Sequence, residues 1–219
     1  LAKMLVEINI FDGVDLDWEV PSNEAQWRDM GKLAKDIRAA WAAEASGAKR
    51  EMLLSFTYHP GTGAVQAISG IKGKEKSFVD IFDFGHAMAY SQFDKDRRHS
   101  TRKHDLATIE EWTKGGLPAG KLTLGMPFFG VNRESGETKS YFEIMERDKS
   151  LYERPEVDES SDGVYFINRK SAAQKVDLCK QKGVGGIMIW ELGQDAKTPR
   201  RSLLASVWSA ARGVRGDGD

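Results

Sequence analysis

The chain has 219 residues, 40% of them hydrophobic, enough for one substantial core in a single domain. Its 32 basic and 33 acidic residues leave a net charge of −1, so no global field selects for nucleic acid or a membrane surface, and no apolar run approaches the ~20 residues of a membrane-spanning helix. The single cysteine, Cys179, excludes an intramolecular disulfide or a thiolate metal cluster and reads as a small apolar filler on a helix.

In chain order, LAKMLVEINI reads as the end of an amphipathic helix. The stretch FDGVDLDWE follows, with a strand predicted over Gly13–Trp18 and four carboxylates set into it: Asp12, Asp15, Asp17 and Glu19. Strand alternation turns Asp15, Asp17 and Glu19 to one face and Val14, Leu16 and Trp18 to the other, where the apolar set is expected to be buried. Like charges this close cannot all ionise freely, and a carboxyl that keeps its proton is a general acid. Hard cations also collect carboxylates, but D-x-x-D-x-D-x-E lacks the spacing of a Ca²⁺ loop and no histidine cluster accompanies it.

A helix is predicted over Asn23–Ala43, with Trp27, Met30, Leu33, Ala34, Ile37 and Trp41 on its apolar face and Pro21, Ser22 and Asn23 as its start signal. Strands are predicted at Met52–Thr57, His86–Tyr90, Leu122–Pro127 and Gly186–Trp190. Helices are predicted at Asp105–Lys114, Lys170–Lys182 and Arg201–Arg212. Between Gly130 and Asp162 lies a long polar stretch with only a short helix around Ser140–Glu146, either a solvated loop or the wall of a groove. Near-continuous apolar strands alternating with helices imply an α/β fold with a parallel sheet, one domain over residues 1–212, and a frayed tail at 213–219. The histidines His59, His86, His99 and His104 show no ligand spacing and read as structural.

FDGVDLDWEVP resembles the signature of the family 18 glycoside hydrolases, chitinases and chitinase-like proteins, whose acidic run lies on the fourth strand of a (β/α)8 barrel. His86-Ala-Met-Ala-Tyr90 is similar to the family's sixth strand with its Met-x-Tyr-Asp motif. KLTLGMPFFG from Lys121 is similar to the seventh strand, and GGIMIWELGQD from Gly185 to the eighth. The resemblance implies a TIM barrel that is incomplete here, with strands four to eight and their helices in this chain and strands one to three absent from it. Sheet edges are then left for a missing barrel segment or a partner chain.

The same resemblance implies Glu19 as the proton donor, Asp17 as the residue that orients an N-acetyl group, Asp15 as a deeper carboxylate that tunes Asp17, and Asp12 near the start of the strand. Tyr90 is implied to hydrogen-bond the N-acetyl oxygen, Met88 to line the pocket, and Trp190 to stack under a sugar ring. Ser91 stands where the family usually has Asp, and either Asp94 takes that place or Ser91 offers a weaker hydrogen bond. The implied reaction is substrate-assisted, retaining cleavage of β-1,4-N-acetylglucosamine linkages in chitin or related oligosaccharides, with no cofactor and no metal. A non-hydrolytic carbohydrate-binding or scaffold subunit and an endo-β-N-acetylglucosaminidase are the other readings, and the resemblance favours a secreted or lumenal location.

Overall fold

The structure is a computed structural model that describes residues 10–44, 52–71 and 77–213. Apart from Ile10, the expected N-terminal helix end lies outside the described residues, as do residues 214–219 of the tail.

In chain order the elements are β1 (Gly13–Leu16), α1 (Glu24–Glu44), β2 (Leu53–Tyr58), α2 (Ala64–Gly70), α3 (Phe78–Ile81), β3 (Phe84–Ala87), α4 (Arg102–Lys114), β4 (Leu122–Pro127), β5 (Phe129–Asn132), β6 (Thr138–Ser140), α5 (Tyr141–Arg147), β7 (Val164–Tyr165), α6 (Arg169–Lys182), β8 (Gly186–Trp190) and α7 (Leu203–Arg212). Five strands pair in the order β1-β2-β3-β4-β8, every pair parallel. With their helical crossovers they form an incomplete (β/α)8 barrel.

The main core lies between this sheet and the helices. Leu54, Phe56 and Tyr58 alternate outward from β2 to meet Trp27 of α1, Phe78 of α3, Phe82 and Trp112 of α4. The rings interlock: Phe56 and Phe78 meet edge to face at 5.2 Å between centroids, and Phe56 and Phe82 at 4.8 Å. Burying each such side chain contributes about 1.5–3 kcal/mol. The start of α1 carries the expected cap, since Asn23 Oδ1 accepts the Gln26 N–H at 3.0 Å. Arg38 then ties α1 to the base of the sheet, donating to the Ile81 and Met52 carbonyls and to Asp83, whose Oδ2 also accepts the Leu54 N–H. Leu33 departs from expectation: it is half exposed, on the solvent edge of the apolar stripe. Cys179 is buried in α6 as expected, with burial pushing its thiol up to about 12.

Two predicted strands end differently. β3 is Phe84–Ala87 rather than His86–Tyr90, because the ladder ends there: Met88 N–H makes the last bond to β2, to the Tyr58 carbonyl, and Ala89 N–H turns back to the Ala87 carbonyl. β1 stops at Leu16 and lies at one edge of the five strands, so Val14 and Leu16 are half-buried and Trp18 is 42% exposed rather than core. Gly13 is required at the start of β1, since a Cβ there would lie 2.0 Å from the Leu53 carbonyl oxygen.

The long polar stretch is not a bare loop. β5, β6 and β7 form an antiparallel sheet in the order β6-β5-β7, with α5 packed beside it. A second core holds this insertion to the barrel through Met126, Phe128, Tyr141, Ile144, Val164 and Phe166.

Candidate active site

The inner face of the parallel sheet, opposite the main core, carries polar side chains. Register places Asp15 of β1 opposite Ser55 of β2, Thr57 opposite His86 of β3, and His86 opposite Thr123 of β4. Ser55 Oγ donates to Asp15 Oδ1 at 2.6 Å and Thr57 Oγ1 donates to Oδ2 at 2.9 Å, so both carboxylate oxygens are held. The His86 ring lies with Nε2 3.6 Å from Asp15 Oδ1 and Nδ1 2.5 Å from Thr123 Oγ1. Burial lowers the pKa of His86, and the Asp15 charge opposes that shift.

Asp17 and Glu19 follow where β1 has ended, at the C-terminal mouth of the sheet, the end at which barrel enzymes build their sites. Glu19 Oε2 lies 3.6 Å from Nε2 of His59, which follows β2. Tyr90 is buried beside this pair: burial raises its pKa, and the negative charges of Asp17 and Glu19 raise it further, so the phenol keeps its proton and is a donor. Its ring packs edge to face on Phe129 at 5.8 Å, its hydroxyl is 3.9 Å from Met188 Sδ, and Met88 is buried in the same cluster. Close backbone approach makes room for the ring. A Cβ on Gly125 of β4 would lie 2.5 Å from the Ala87 carbonyl oxygen and 2.7 Å from Tyr90 Cε1. Trp190 ends β8 with about half its surface exposed, and its carbonyl accepts the Phe128 N–H. The peptide bonds after Glu19 and after Trp190 are cis.

Asp17, Glu19 and Tyr90 therefore come together, with Met88 against Tyr90, while Asp15 sits on the inner face among Ser55, Thr57 and His86. Three other expected residues stand elsewhere or do other work. Asp12 lies at the opposite end of β1 from the mouth, where its carbonyl accepts the Leu53 N–H. Asp94 does not replace the missing carboxylate: it accepts the Asp96 and Arg98 N–H groups at 2.9 Å each and pairs with Arg98 at 3.4 Å. Slight burial works to raise its pKa and is outweighed by those bonds and by the Arg98 charge, so the shift is downward. It lines a separate cleft with Arg98, Thr101, Arg102 and Lys175. Ser91 is exposed in the left-handed region at φ 58°, and its N–H donates to His99 Nδ1 at 3.2 Å. His99 is buried, which with the nearby Lys175 charge brings its pKa down to about 4.

Sequence reasoning missed His59 and His86. Each sits among apolar or turn residues with no ligand spacing, and its acidic partner comes from β1 or the chain just after it. Among the described residues no group of three His, Cys, Asp or Glu side chains is placed to hold a metal ion.

The sequence model of the glycosyl hydrolases family 18 matches residues 1–195. Among curated proteins, Endochitinase 1 of Metarhizium robertsii is 24% identical over 226 residues, covering 86% of this chain and 53% of that protein. Chitotriosidase-1 of Mus musculus is 26% identical over 235 residues, covering 84% and 50%. The chain thus spans about half the length of these relatives. Among solved structures, the GH18 chitinase ChiB of Flavobacterium johnsoniae superposes with a TM-score of 0.73 at 25% identity, over 97% of this chain and 64% of that one. The chitinase-like agglutinin of Robinia pseudoacacia shares the fold, with a TM-score of 0.70 at 21% identity over 97% and 70%.

Proposed function

The chain belongs to the family 18 glycosyl hydrolases, and from that premise we propose that it forms the acid-bearing part of a retaining enzyme that cleaves β-1,4 linkages next to N-acetylglucosamine. The observation that carries this reading is a buried Tyr90 hydroxyl set in the field of Asp17 and Glu19 at the mouth of the sheet, with Asp15 held on the inner face by Ser55 and Thr57. In this family the substrate's own N-acetyl group takes the nucleophile's place, so the reading needs no second carboxylate opposite Glu19.

In the first step the N-acetyl oxygen of the sugar attacks the anomeric carbon, the glycosidic C–O bond breaks, and Glu19 gives its proton to the leaving oxygen. The resulting oxazolinium cation is stabilised by the Asp17 carboxylate, while the Tyr90 hydroxyl orients the N-acetyl group. Water then attacks the anomeric carbon and passes a proton to Glu19, which restores the acid and retains configuration. Trp190, half exposed at the end of β8, offers a ring face for the sugar. Further strands of the full-length protein, or of a partner, would close the barrel at β1 and β8, which are outermost among the described residues. Ser91 in place of a carboxylate favours a second reading, binding without turnover, and one experiment separates the two.

That experiment gives tetra-N-acetylchitotetraose or cellotetraose to the full-length protein and follows the first product by proton NMR. The proposal expects the chito-oligosaccharide alone to be cut, with the β-anomer appearing first. An α-anomer first, equal hydrolysis of cellotetraose, or binding with no hydrolysis overturns it.

A further inference from the structure

His86 has no part in the steps above, yet it occupies the floor of the acid row. Asp15 already receives two hydroxyl donors, from Ser55 and Thr57. A hydroxyl can rotate to donate or accept, so those two do not decide whether Asp15 carries a proton. An imidazole edge does, because it offers an N–H to the carboxylate in one protonation state and a full positive charge in the other.

The surroundings of His86 settle which edge faces Asp15. Its ring stacks on Phe84 at 6.4 Å and 16°, which fixes the plane. Nδ1 is 2.5 Å from the hydroxyl of the buried Thr123, so a hydroxyl donating there leaves the ring proton on Nε2, the nitrogen 3.6 Å from Asp15 Oδ1. If the ring gains a second proton, the Thr123 hydroxyl turns to accept, and Nε2–H still faces Asp15. At 3.6 Å this is a charge–dipole contact longer than a direct hydrogen bond, as acid–base contacts in empty sites often are. β2 and β4 face His86 in register with the Thr57 and Thr123 hydroxyls, its own strand faces it with Phe84, and β1 brings Asp15, the charged group acting on it.

We propose that His86 is a positioning residue for the acid row: its Nε2 edge holds Asp15 as an acceptor at the base of the site, below Asp17, Glu19 and the substrate. This rests on the function proposed above and adds a residue that the acidic motif does not contain. It also makes the acid limb of the pH profile depend on a histidine two strands away from the motif's own strand.

The test uses the full-length protein with His86→Leu, His86→Gln and Asp15→Asn. Leucine removes the donor, and a glutamine amide can stand near the Nε2 position without titrating. His86→Leu is expected to lose about tenfold or more in kcat, the scale of a lost hydrogen bond to a charge, with KM for tetra-N-acetylchitotetraose within about twofold. Its acid limb should move to higher pH, because Asp15 now takes up a proton more readily, whereas His86→Gln should keep kcat within about threefold and leave the limb in place. A loss that is uniform across pH, a loss confined to KM, or a glutamine variant no better than leucine overturns the proposal. A second measurement needs no turnover: the His86 ring titration, followed by nitrogen-15 NMR, should move to lower pH in Asp15→Asn. If the ring titrates at the same pH in both proteins, the proposal fails even in an active enzyme. If the wild type shows no turnover while the titration moves, the hydrolytic reading fails and the His86–Asp15 pairing stands.

Discussion

Lys175→Met is the substitution whose cost follows most directly from the structure. Lys175 on α6 and Asp105 on α4 form an ion pair at 2.8 Å, their side chains 2% and 3% exposed. The ammonium also donates to Ser100 Oγ at 2.9 Å and to the Gly125 carbonyl at 2.6 Å. Burial raises the pKa of Asp105, and the Lys175 charge and hydrogen bond oppose it. Methionine keeps most of the stem and its packing but removes every donor, leaving a buried carboxylate with only the weaker fields of His104 and Arg102 to offset its charge. Breaking such a pair from one side costs about 3–5 kcal/mol. For a domain of this size each kcal/mol moves the unfolding midpoint by roughly 2–4 °C, so thermal unfolding of the full-length protein at pH 7 should drop by about 6–20 °C. The sign with pH is fixed. With its cation gone, Asp105 has a folded pKa further above the unfolded one, so the native state binds the extra proton and the deficit shrinks as pH falls. The double variant Asp105→Leu/Lys175→Met removes both charges and should recover at least half of the loss. A midpoint within 2 °C of wild type, roughly the experimental margin, or a double variant no better than the single one, refutes this reasoning.

Gly125→Ala should act on the site from the same strand: its Cβ would meet the Ala87 carbonyl at 2.5 Å and Tyr90 at 2.7 Å, and backbone cannot yield as a side-chain tip does. We expect about 1–3 kcal/mol of destabilisation in chemical denaturation and a kcat reduced at least about tenfold, with unchanged kcat as the contrary result. Asp162 is held down to about 2 from an ordinary 3.8 by hydrogen bonds from Ser160 and Lys139 and by the Lys139 and Arg147 charges. Its folded pKa is depressed, so its contribution is full above about pH 4 and is lost as pH falls through 2. The gap in unfolding midpoint between wild type and Asp162→Asn should narrow over that window, and a gap as wide at pH 2 as at pH 6 would contradict it.

What the sequence revealed follows the range of the forces involved. β4 and β8 match their predicted bounds because LTLGMP and GIMIW are continuous apolar runs of strand length, β4 fully buried and β8 half-buried at the sheet edge. The acidic motif was legible because alternation within one strand is a local rule, and Asp15 does turn to the inner face. Trp18 was misjudged because exposure depends on neighbours: β1 lies at one edge of the five strands and has already ended two residues earlier. The strands of the insertion escaped because β6 and β7 are three and two residues long, too short to show a period. His86 and His59 escaped for a different reason. Their acidic neighbours are supplied by β1 and the chain after it, and only the register of adjacent strands makes Thr57, His86 and Thr123 a row. Asp94 looked available from its position after Tyr90, but the turn that follows uses its carboxylate as an internal cap for Asp96 and Arg98.

The central claim is that Glu19 supplies the proton at the mouth of the sheet. It is tested most directly by Glu19→Gln in the full-length protein, measuring turnover of tetra-N-acetylchitotetraose alongside its binding by calorimetry. Loss of the general acid predicts a fall in kcat of at least about a hundredfold with affinity within about threefold of wild type. Wild-type turnover in the variant would contradict the account.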